Sequence, residues 1–175
     1  MVSRAFQHIW FYFALVCHLL AIIVHAISLM DYNVQSIFPQ IWFLHIGVAI
    51  LAFPILFRLA TNSEYSKLKE SGELEKLNSI KLFRKVFINV PRWIKLLALF
   101  GVIYAIINFI LFIQSQPGTP EFTDGQYILQ NQEKFIRVIT EQEYHHYQAN
   151  ILRGFSGHWI AFYGISLIIL YPFKR

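Results

Sequence analysis

Apolar residues occur along the chain in four long blocks, at residues 6–30, 37–59, 93–113 and 154–172. As an α-helix with a rise of ~1.5 Å per residue, the first block is ~37 Å long, which exceeds the ~30 Å hydrocarbon core of a bilayer. A cleaved signal peptide is the alternative for this block, but its apolar core would normally have only about 7–15 residues. The pattern therefore predicts an all-α membrane protein, with the chain 1–175 forming one domain, a bundle of four transmembrane helices.

Basic residues indicate which side of the membrane each connection occupies. Nine of the fifteen lysines and arginines lie within residues 58–95, around the connection 60–92, and two more end the chain. The positive-inside rule places these segments in the cytoplasm. We therefore expect a multi-pass protein of the plasma (inner) membrane with both termini cytoplasmic and residues 114–153 outside.

The cytoplasmic connection contains two further patterns. Residues 64–77 read as a polar helix, and a short apolar patch follows beside several cations. The patch consists of Leu82, Phe83, Val86 and Phe87. Such a basic amphipathic segment usually lies on the lipid headgroups. Pro91 then stands at the start of the third span, where a proline is tolerated in the first helical turn.

The outer segment begins with strand signals. The proline- and glycine-rich stretch 114–125 predicts a loop. Two β-favouring runs, at residues 127–130 and 135–139, then predict a small extracytoplasmic β-hairpin.

A capped helix should follow the hairpin. Thr140 and Glu143 have the spacing of a capping box, and the helix should continue through Arg153 into the fourth span without a break. His145 and His146 point about 100° apart, so they cannot chelate as an i, i+4 pair. The favoured interpretation is that this helix lies against the hairpin and the bundle mouth; alternatively, either histidine reaches the intramembrane cluster described below. Arg153 and Trp159 are predicted interfacial anchors; alternatively, Arg153 binds an anionic headgroup or substrate.

Small residues predict which face of each span packs against its neighbours, because lipid gives helices no hydrophobic reason to associate. In all four spans these residues recur at helical spacing and include or border a polar side chain. The predicted faces are Ala14, His18, Ala21, His25 and Ser28; His45, Ala49 and Ala52; Gly101, Ala105 and Asn108; and Gly154, Gly157, Ala161 and Gly164.

Each span also places one polar side chain in the outer half of the bundle: His25, His45, Asn108 and His158. An imidazole in a bilayer is costly without a partner, so this cluster is the candidate functional site. His25, His45 and His158 are candidate metal ligands. Haem b held by two histidines from facing helices is a second possibility, with His18 as a further candidate, and a proton relay from His18 to His25 is a third. The favoured interpretation is structural, with interhelical hydrogen bonds to Tyr104 or to backbone groups.

Composition excludes several classes of protein. Only 14% of the residues are charged, against roughly 25% in an ordinary soluble domain. The single cysteine, Cys17, excludes disulfides within the chain and a thiolate metal cage. The net charge of +5 is explained by topology, so nucleic acid is not expected as a partner.

We therefore expect a non-enzymatic accessory or assembly subunit in the lipid bilayer, with a membrane protein or a second copy of the chain as its partner. A redox protein that binds haem b or a metal ion is one alternative, although neither cofactor is favoured over none. A small membrane enzyme or carrier with a pocket at the outer mouth is the other. Asp124, Glu141 and Glu143 are explained by a turn and a helix cap, which argues against acid–base hydrolysis.

Overall fold

The computed structural model describes residues 4–72 and 79–172, and these residues are mostly helical. Three described segments, Ala5–Ser28, Pro39–Ala60 and Arg92–Ser115, are long and apolar enough to cross a membrane. They coincide with the first three predicted spans and indicate a membrane protein. The helical elements are α1 (Arg4–Ser28), α2 (Val34–Ile37), a 3₁₀ turn (Pro39–Trp42), α3 (Phe43–Ala60), α4 (Ser63–Glu70), α5 (Ser79–Val86), α6 (Arg92–Ser115) and α7 (Glu141–Ile169). The strands are β1 (Thr119–Thr123), β2 (Gln126–Asn131) and β3 (Lys134–Val138).

Helix α7 has 29 residues and runs without a break from the predicted capping box, which is confirmed, into the fourth apolar block. It packs against α1, α3 and α6, whereas α6 packs chiefly on α7. Its buried residues include serines, glycines and an asparagine as well as apolar side chains. Helix α7 is not among the three described segments that are apolar enough to span a membrane. Its buried residues are covered by α1, α3 and α6.

Small residues set the contact between α6 and α7, as their spacing predicts. A Cβ on Gly164 would meet the Ala98 Cα at 3.3 Å, and one on Gly154 would meet the Phe112 ring at 2.8 Å. The predicted faces of α1 and α6 are buried as well, with the members Ala14, His18, Ala21, His25, Ser28, Gly101, Ala105 and Asn108. The helix backbones therefore approach closely along these faces.

The predicted inward face of the second span is wrong. His45, Ala49 and Ala52 are exposed. Helix α3 instead buries Leu44, Gly47, Leu51, Pro54 and Arg58. The Tyr163 hydroxyl lies against Gly47 and donates to the Leu44 carbonyl at 2.5 Å. Because glycine permits a closer approach than alanine, the Gly47 face packs inward and the alanine face remains outside.

The predicted hairpin is confirmed, but it belongs to a three-stranded antiparallel sheet in the order β1–β2–β3. The prediction of a loop throughout 114–125 is wrong for residues 119–123, which form β1 and pair with β2. Asp124 and Gly125 join these strands with positive φ angles of 50° and 75°, as a type I′ turn requires. Pro120 is compatible with β1 because an edge strand tolerates the loss of a hydrogen-bond donor.

The connection between α3 and α6 contains α4 and α5. The predicted helix 64–77 is formed in part by α4, whereas residues 73–78 and the tail 173–175 lie outside the described residues. At the end of α5, Val86 and Phe87 are buried while Phe83 is exposed, as an amphipathic segment requires. Pro91 precedes α6 as its N-cap rather than as its first helical residue.

Candidate functional site

His25 is the centre of a hydrogen-bonded chain that joins three helices. Its Nδ1 lies 2.8 Å from Ser156 Oγ on α7, and its Nε2 lies 2.5 Å from the Tyr104 hydroxyl on α6. The Ser156 hydroxyl donates its single proton to the Arg153 carbonyl at 3.2 Å. Because that proton is used, His25 Nδ1–H donates to Ser156, and Nε2 accepts from Tyr104. Both ring nitrogens of this buried imidazole are therefore bonded.

Asn108 bonds to the same backbone group. Its Nδ2 donates to the Arg153 carbonyl at 3.0 Å. The side chain is buried against Gly157, where any added Cβ would overlap Asn108 Nδ2. Of the predicted polar cluster, the structure therefore brings together His25, Tyr104, Asn108 and the backbone of Arg153.

His45 and His158 do not join this cluster. His45 lies on the exposed flank of α3, where its Nδ1 accepts from Trp159 Nε1 at 3.1 Å. His158 Nδ1 donates to the Gly154 carbonyl of its own helix at 2.9 Å. The three predicted metal ligands thus have separate partners. Within the described residues, no group of three His, Cys, Asp or Glu side chains could hold a metal ion.

The small-residue faces are closely packed. Gly164 contacts Ala98, and a Cβ on Gly101 would lie 3.5 Å from the Ile160 carbonyl oxygen, an ordinary van der Waals distance. Trp159 and Tyr163 are almost completely buried beside these contacts. The small residues therefore allow the helix backbones to approach closely.

His18 lies two turns before His25 on α1 and differs from it in bonding. Its side chain is 2% exposed, and neither ring nitrogen has a hydrogen-bond partner among the described residues. The Ile160 carbonyl lies near the ring without completing a hydrogen bond of normal geometry. Between His18 and His25, the described residues therefore form no continuous hydrogen-bonded relay.

A groove of about 350 Å³ opens beside Tyr104, and Arg153 also lines it. Most of its wall is apolar, with Leu29, Ile107 and Leu111 among the lining residues. In the described part of the chain, no carboxylate pairs with Arg153. The groove thus combines a phenol and a guanidinium with apolar walls.

Asn150 fixes the Arg153 side chain, and sequence reasoning did not find it. Arg153 Nη2 donates to Asn150 Oδ1, and Asn150 Nδ2 donates to Gln116 Oε1 at 2.7 Å. The available signal was spacing, because Asn150 continues the face of Gly154 and Gly157 one turn earlier. This buried amide joins α7 to the end of α6.

His145 and His146 attach α7 to the connection after α1. His145 Nδ1 accepts from Asn33 Nδ2 at 3.1 Å, and His146 Nδ1 lies 3.1 Å from an Asp31 carboxylate oxygen. The two rings reach different residues, as their angular separation predicts. They form an outer contact and do not extend the cluster around His25.

The sheet is held on the first turns of α7. The rings of Tyr127 and Tyr144 lie 5.0 Å apart, and Arg137 Nη2 donates to Glu143 at 2.7 Å. This guanidinium, together with the Thr140 amide, lowers the pKa of Glu143 to about 2. The Glu143 carboxylate therefore stabilises both the helix cap and the attachment of the sheet.

The other face of the sheet is mixed, with exposed apolar side chains at β3 beside polar ones such as Gln130 and Glu121. Along β2, Leu129 is buried and Ile128 points to the opposite face, because side chains alternate along a strand. Val138 pairs with Ile128, and Phe135 pairs with Gln130, so both lie on this outer face. All five residues of β3 are exposed, including Phe135 at 62% and Val138 at 54%. As an edge strand, β3 has no neighbouring strand on its outer side in the described chain.

No protein-family model, curated protein or solved structure matches this chain. Its function is therefore inferred from geometry and chemistry. At the end of the molecule that carries the sheet, the β3 edge with its exposed apolar side chains and the groove beside Tyr104 can both contact other molecules.

Proposed function

We propose that the protein is a non-enzymatic accessory or assembly subunit of the plasma (inner) membrane. Helices α1, α3, α6 and α7 are its four spans, both termini are cytoplasmic, and the sheet lies outside. The three apolar helices around α7 and the basic connection 60–92 support this placement.

The exposed β3 edge is the observation that carries this proposal. Proteins normally protect edge strands with charges, prolines or covering elements, because open backbone groups pair readily with other strands. β3 has two such charges, Lys134 and Arg137, and a bulge in its register with β2. Arg137, however, is bonded to Glu143, and the strand still exposes Phe135, Ile136 and Val138. Its occupant, in this proposal, is an extended segment of a partner membrane protein that adds a fourth strand to the sheet.

Site-specific photo-crosslinking in native membranes tests the proposal. With p-benzoylphenylalanine in place of Phe135, we expect one dominant adduct with a single membrane protein, because the partner would cover the exposed apolar side chains of β3. Val138→Lys should abolish the adduct. Phe122, which is 55% exposed on the opposite edge strand, is the matched control position and should give no such adduct.

Two outcomes would oppose this assignment. A homodimeric adduct would replace the partner protein by a second copy of the chain. A monomeric mass in gentle detergent, with no adduct at Phe135 above that at Phe122, would remove the binding function altogether.

The membrane placement has a separate test. In a Cys17→Ala background, a cysteine at Gln132, in the β2–β3 turn, should react with a membrane-impermeant maleimide added to intact cells. A cysteine at Ser71, after α4, should react only once the membrane is permeabilised. The reverse labelling pattern would overturn the orientation.

One observation favours a second candidate, a small membrane carrier or enzyme. The Tyr104 hydroxyl is hydrogen-bonded to His25, and Tyr104 lines the open groove, so a proton can pass between the groove and the buried imidazole. Because this proton path ends at His25, a carrier of this kind would dissipate a pH gradient in proteoliposomes only by exposing His25 to each side in turn. Tyr104→Phe then removes that activity while His158→Gln retains it. Equal rates for Tyr104→Phe and the unmodified protein would exclude it.

A further inference from the structure

A second groove, of about 570 Å³, lies between α5 and the start of α6. Five of the residues that line it are cationic: Lys81, Arg84, Lys85, Arg92 and Lys95. The first three belong to α5 and the other two to the first turn of α6. The fold therefore directs cations from two helices to one concave surface.

Apolar packing holds these two helices in place. Val86, Phe87 and Val90 are buried in the core, which fixes the turn between α5 and Pro91. Lys95 Nζ also donates to the Phe87 carbonyl at 3.4 Å, across that turn. Packing of the backbone between α5 and α6 therefore determines the position of the groove.

The sequence around the groove is rich in basic residues and poor in acidic ones. The sequence contains no Asp or Glu between Glu75 and Glu121, so neither α5 nor α6 carries an acidic residue. Helix α6 also begins here without a side-chain cap or an acidic first turn. Its free amide groups and helix dipole add positive potential to that of the five cations.

The surroundings of the groove are apolar. Ile88, which lines it, is 67% exposed, and Trp93, one residue after Arg92, is 62% exposed. A tryptophan at the start of an apolar helix is typical of the membrane–water interface. Free phosphate would use only the cations, whereas a phospholipid would use both the cations and the apolar rim.

We propose that this groove binds the phosphate headgroup of an anionic phospholipid, with Arg84 and Arg92 as its principal ligands. Arginine presents a planar fork of donors that matches phosphate oxygens better than a lysine does. The acyl chains then extend along Ile88 and the start of α6. This site goes beyond the proposed accessory function and does not depend on the β3 edge, so either proposal can fail while the other stands.

Lipid titration of the full chain tests the site. Delipidated protein in dodecyl maltoside is titrated with dioleoylphosphatidylglycerol or dioleoylphosphatidylcholine, and bound lipid is counted by native mass spectrometry. We expect saturable binding of one phosphatidylglycerol, at least about tenfold tighter than phosphatidylcholine, with an affinity that falls as salt rises. The R84Q/R92Q variant should lose about tenfold in affinity, whereas R84K/R92K, which keeps both charges but loses the planar forks, should lose less.

The matched control is K67Q/K69Q, which removes two charges from α4 in the same connection and should bind phosphatidylglycerol normally. Circular dichroism confirms that each variant is folded, and the single variant Arg84→Gln replaces R84Q/R92Q if the double variant unfolds. Equal affinity for the two lipids, or equal losses in R84Q/R92Q and K67Q/K69Q, would overturn the site. Complete displacement of phosphatidylglycerol by millimolar inorganic phosphate would assign the groove to free phosphate instead.

Discussion

The interior around α7 and the outer sheet use their residues in opposite ways. In the interior, polar side chains such as His25 and Asn108 are buried and hydrogen-bonded to neighbouring helices. On the sheet, the apolar Phe135 and Val138 are exposed, and no described element covers them. The difference teaches that a polar residue in an apolar helix points to a ligand only where the surrounding helices leave its bonding groups unused.

The free energies of the two kinds of interaction support this contrast between the interior and the sheet. Interhelical hydrogen bonds in membranes contribute about 0.6 kcal/mol on average, enough to orient helices but not to bind a partner. Burial of an exposed Phe or Val side chain contributes about 1.5–3 kcal/mol. The exposed apolar side chains of the sheet can therefore contribute more free energy to binding a partner than the hydrogen-bonded side chains of the interior.

Gly157→Leu should give the largest decrease in the free energy of unfolding. A side chain at this position overlaps Asn108 and forces α6 away from α7, so we expect a loss of about 3 kcal/mol in the free energy of unfolding. The measurement is the loss of helical circular dichroism on titration with sodium dodecyl sulfate in mixed micelles. Gly101→Ala is the control, since its Cβ meets its neighbours at 3.5 Å, and it should change stability by less than about 0.5 kcal/mol. Equal effects would mean that α6 and α7 do not pack as described.

His25→Leu should have the next largest effect. It removes two hydrogen bonds and leaves the Tyr104 hydroxyl without its acceptor, at a cost of about 1–2 kcal/mol. His158→Leu loses only a bond to its own helix and should cost about 0.5 kcal/mol or less. The same detergent titration measures both. A larger loss for His158→Leu would place it, rather than His25, at the centre of the cluster.

His18→Leu should change stability in the opposite direction. The imidazole is buried without a hydrogen-bond partner in the described chain, so an apolar side chain of similar size should stabilise the bundle by about 1 kcal/mol. Ala21→Leu, on the same helix face at a fully buried position, is the control. It should destabilise the bundle, because it adds side-chain volume to a packed site. If His18→Leu destabilises the protein as His25→Leu does, then His18 has a partner, and a cofactor or ligand in the interior becomes the better explanation.

Local rules were sufficient to predict much of the fold. Apolar length located α1, α3 and α6, the Thr140–Glu143 spacing located the start of α7, and small residues located the packed faces of α1 and α6. Each of these features depends on residues within a few helical turns of one another. They could therefore be derived without knowing which helices are neighbours.

The remaining features depend on distant partners. The rotation of α3 is decided by the contact of Gly47 with Tyr163, more than 100 residues away, and a shift of one residue turns a helix by about 100°. His45 and the alanines were misplaced for this reason. Strand β1 likewise forms by pairing with β2, since Pro120 and Glu121 have little strand preference of their own. For His25, the sequence predicted that the imidazole needs hydrogen-bond partners, but it could not show that both Ser156 and Tyr104 would supply them.

The attachment of the sheet to α7 should respond to pH, with the smallest effect of the series. Because Arg137 and Thr140 hold the pKa of Glu143 at about 2, below its ordinary value of 4.5, the charged carboxylate stabilises the folded state. That stabilisation is complete above pH 4.5 and is lost as the pH falls towards 2. Amide exchange in β2 and β3, corrected for its intrinsic pH dependence, should therefore accelerate within this window. Glu143→Gln should show faster exchange that is independent of pH there, whereas Glu133→Gln, in the exposed β2–β3 turn, should behave like the unmodified protein. An unchanged pH profile in Glu143→Gln would show that the sheet is held by Tyr127 and Tyr144 alone.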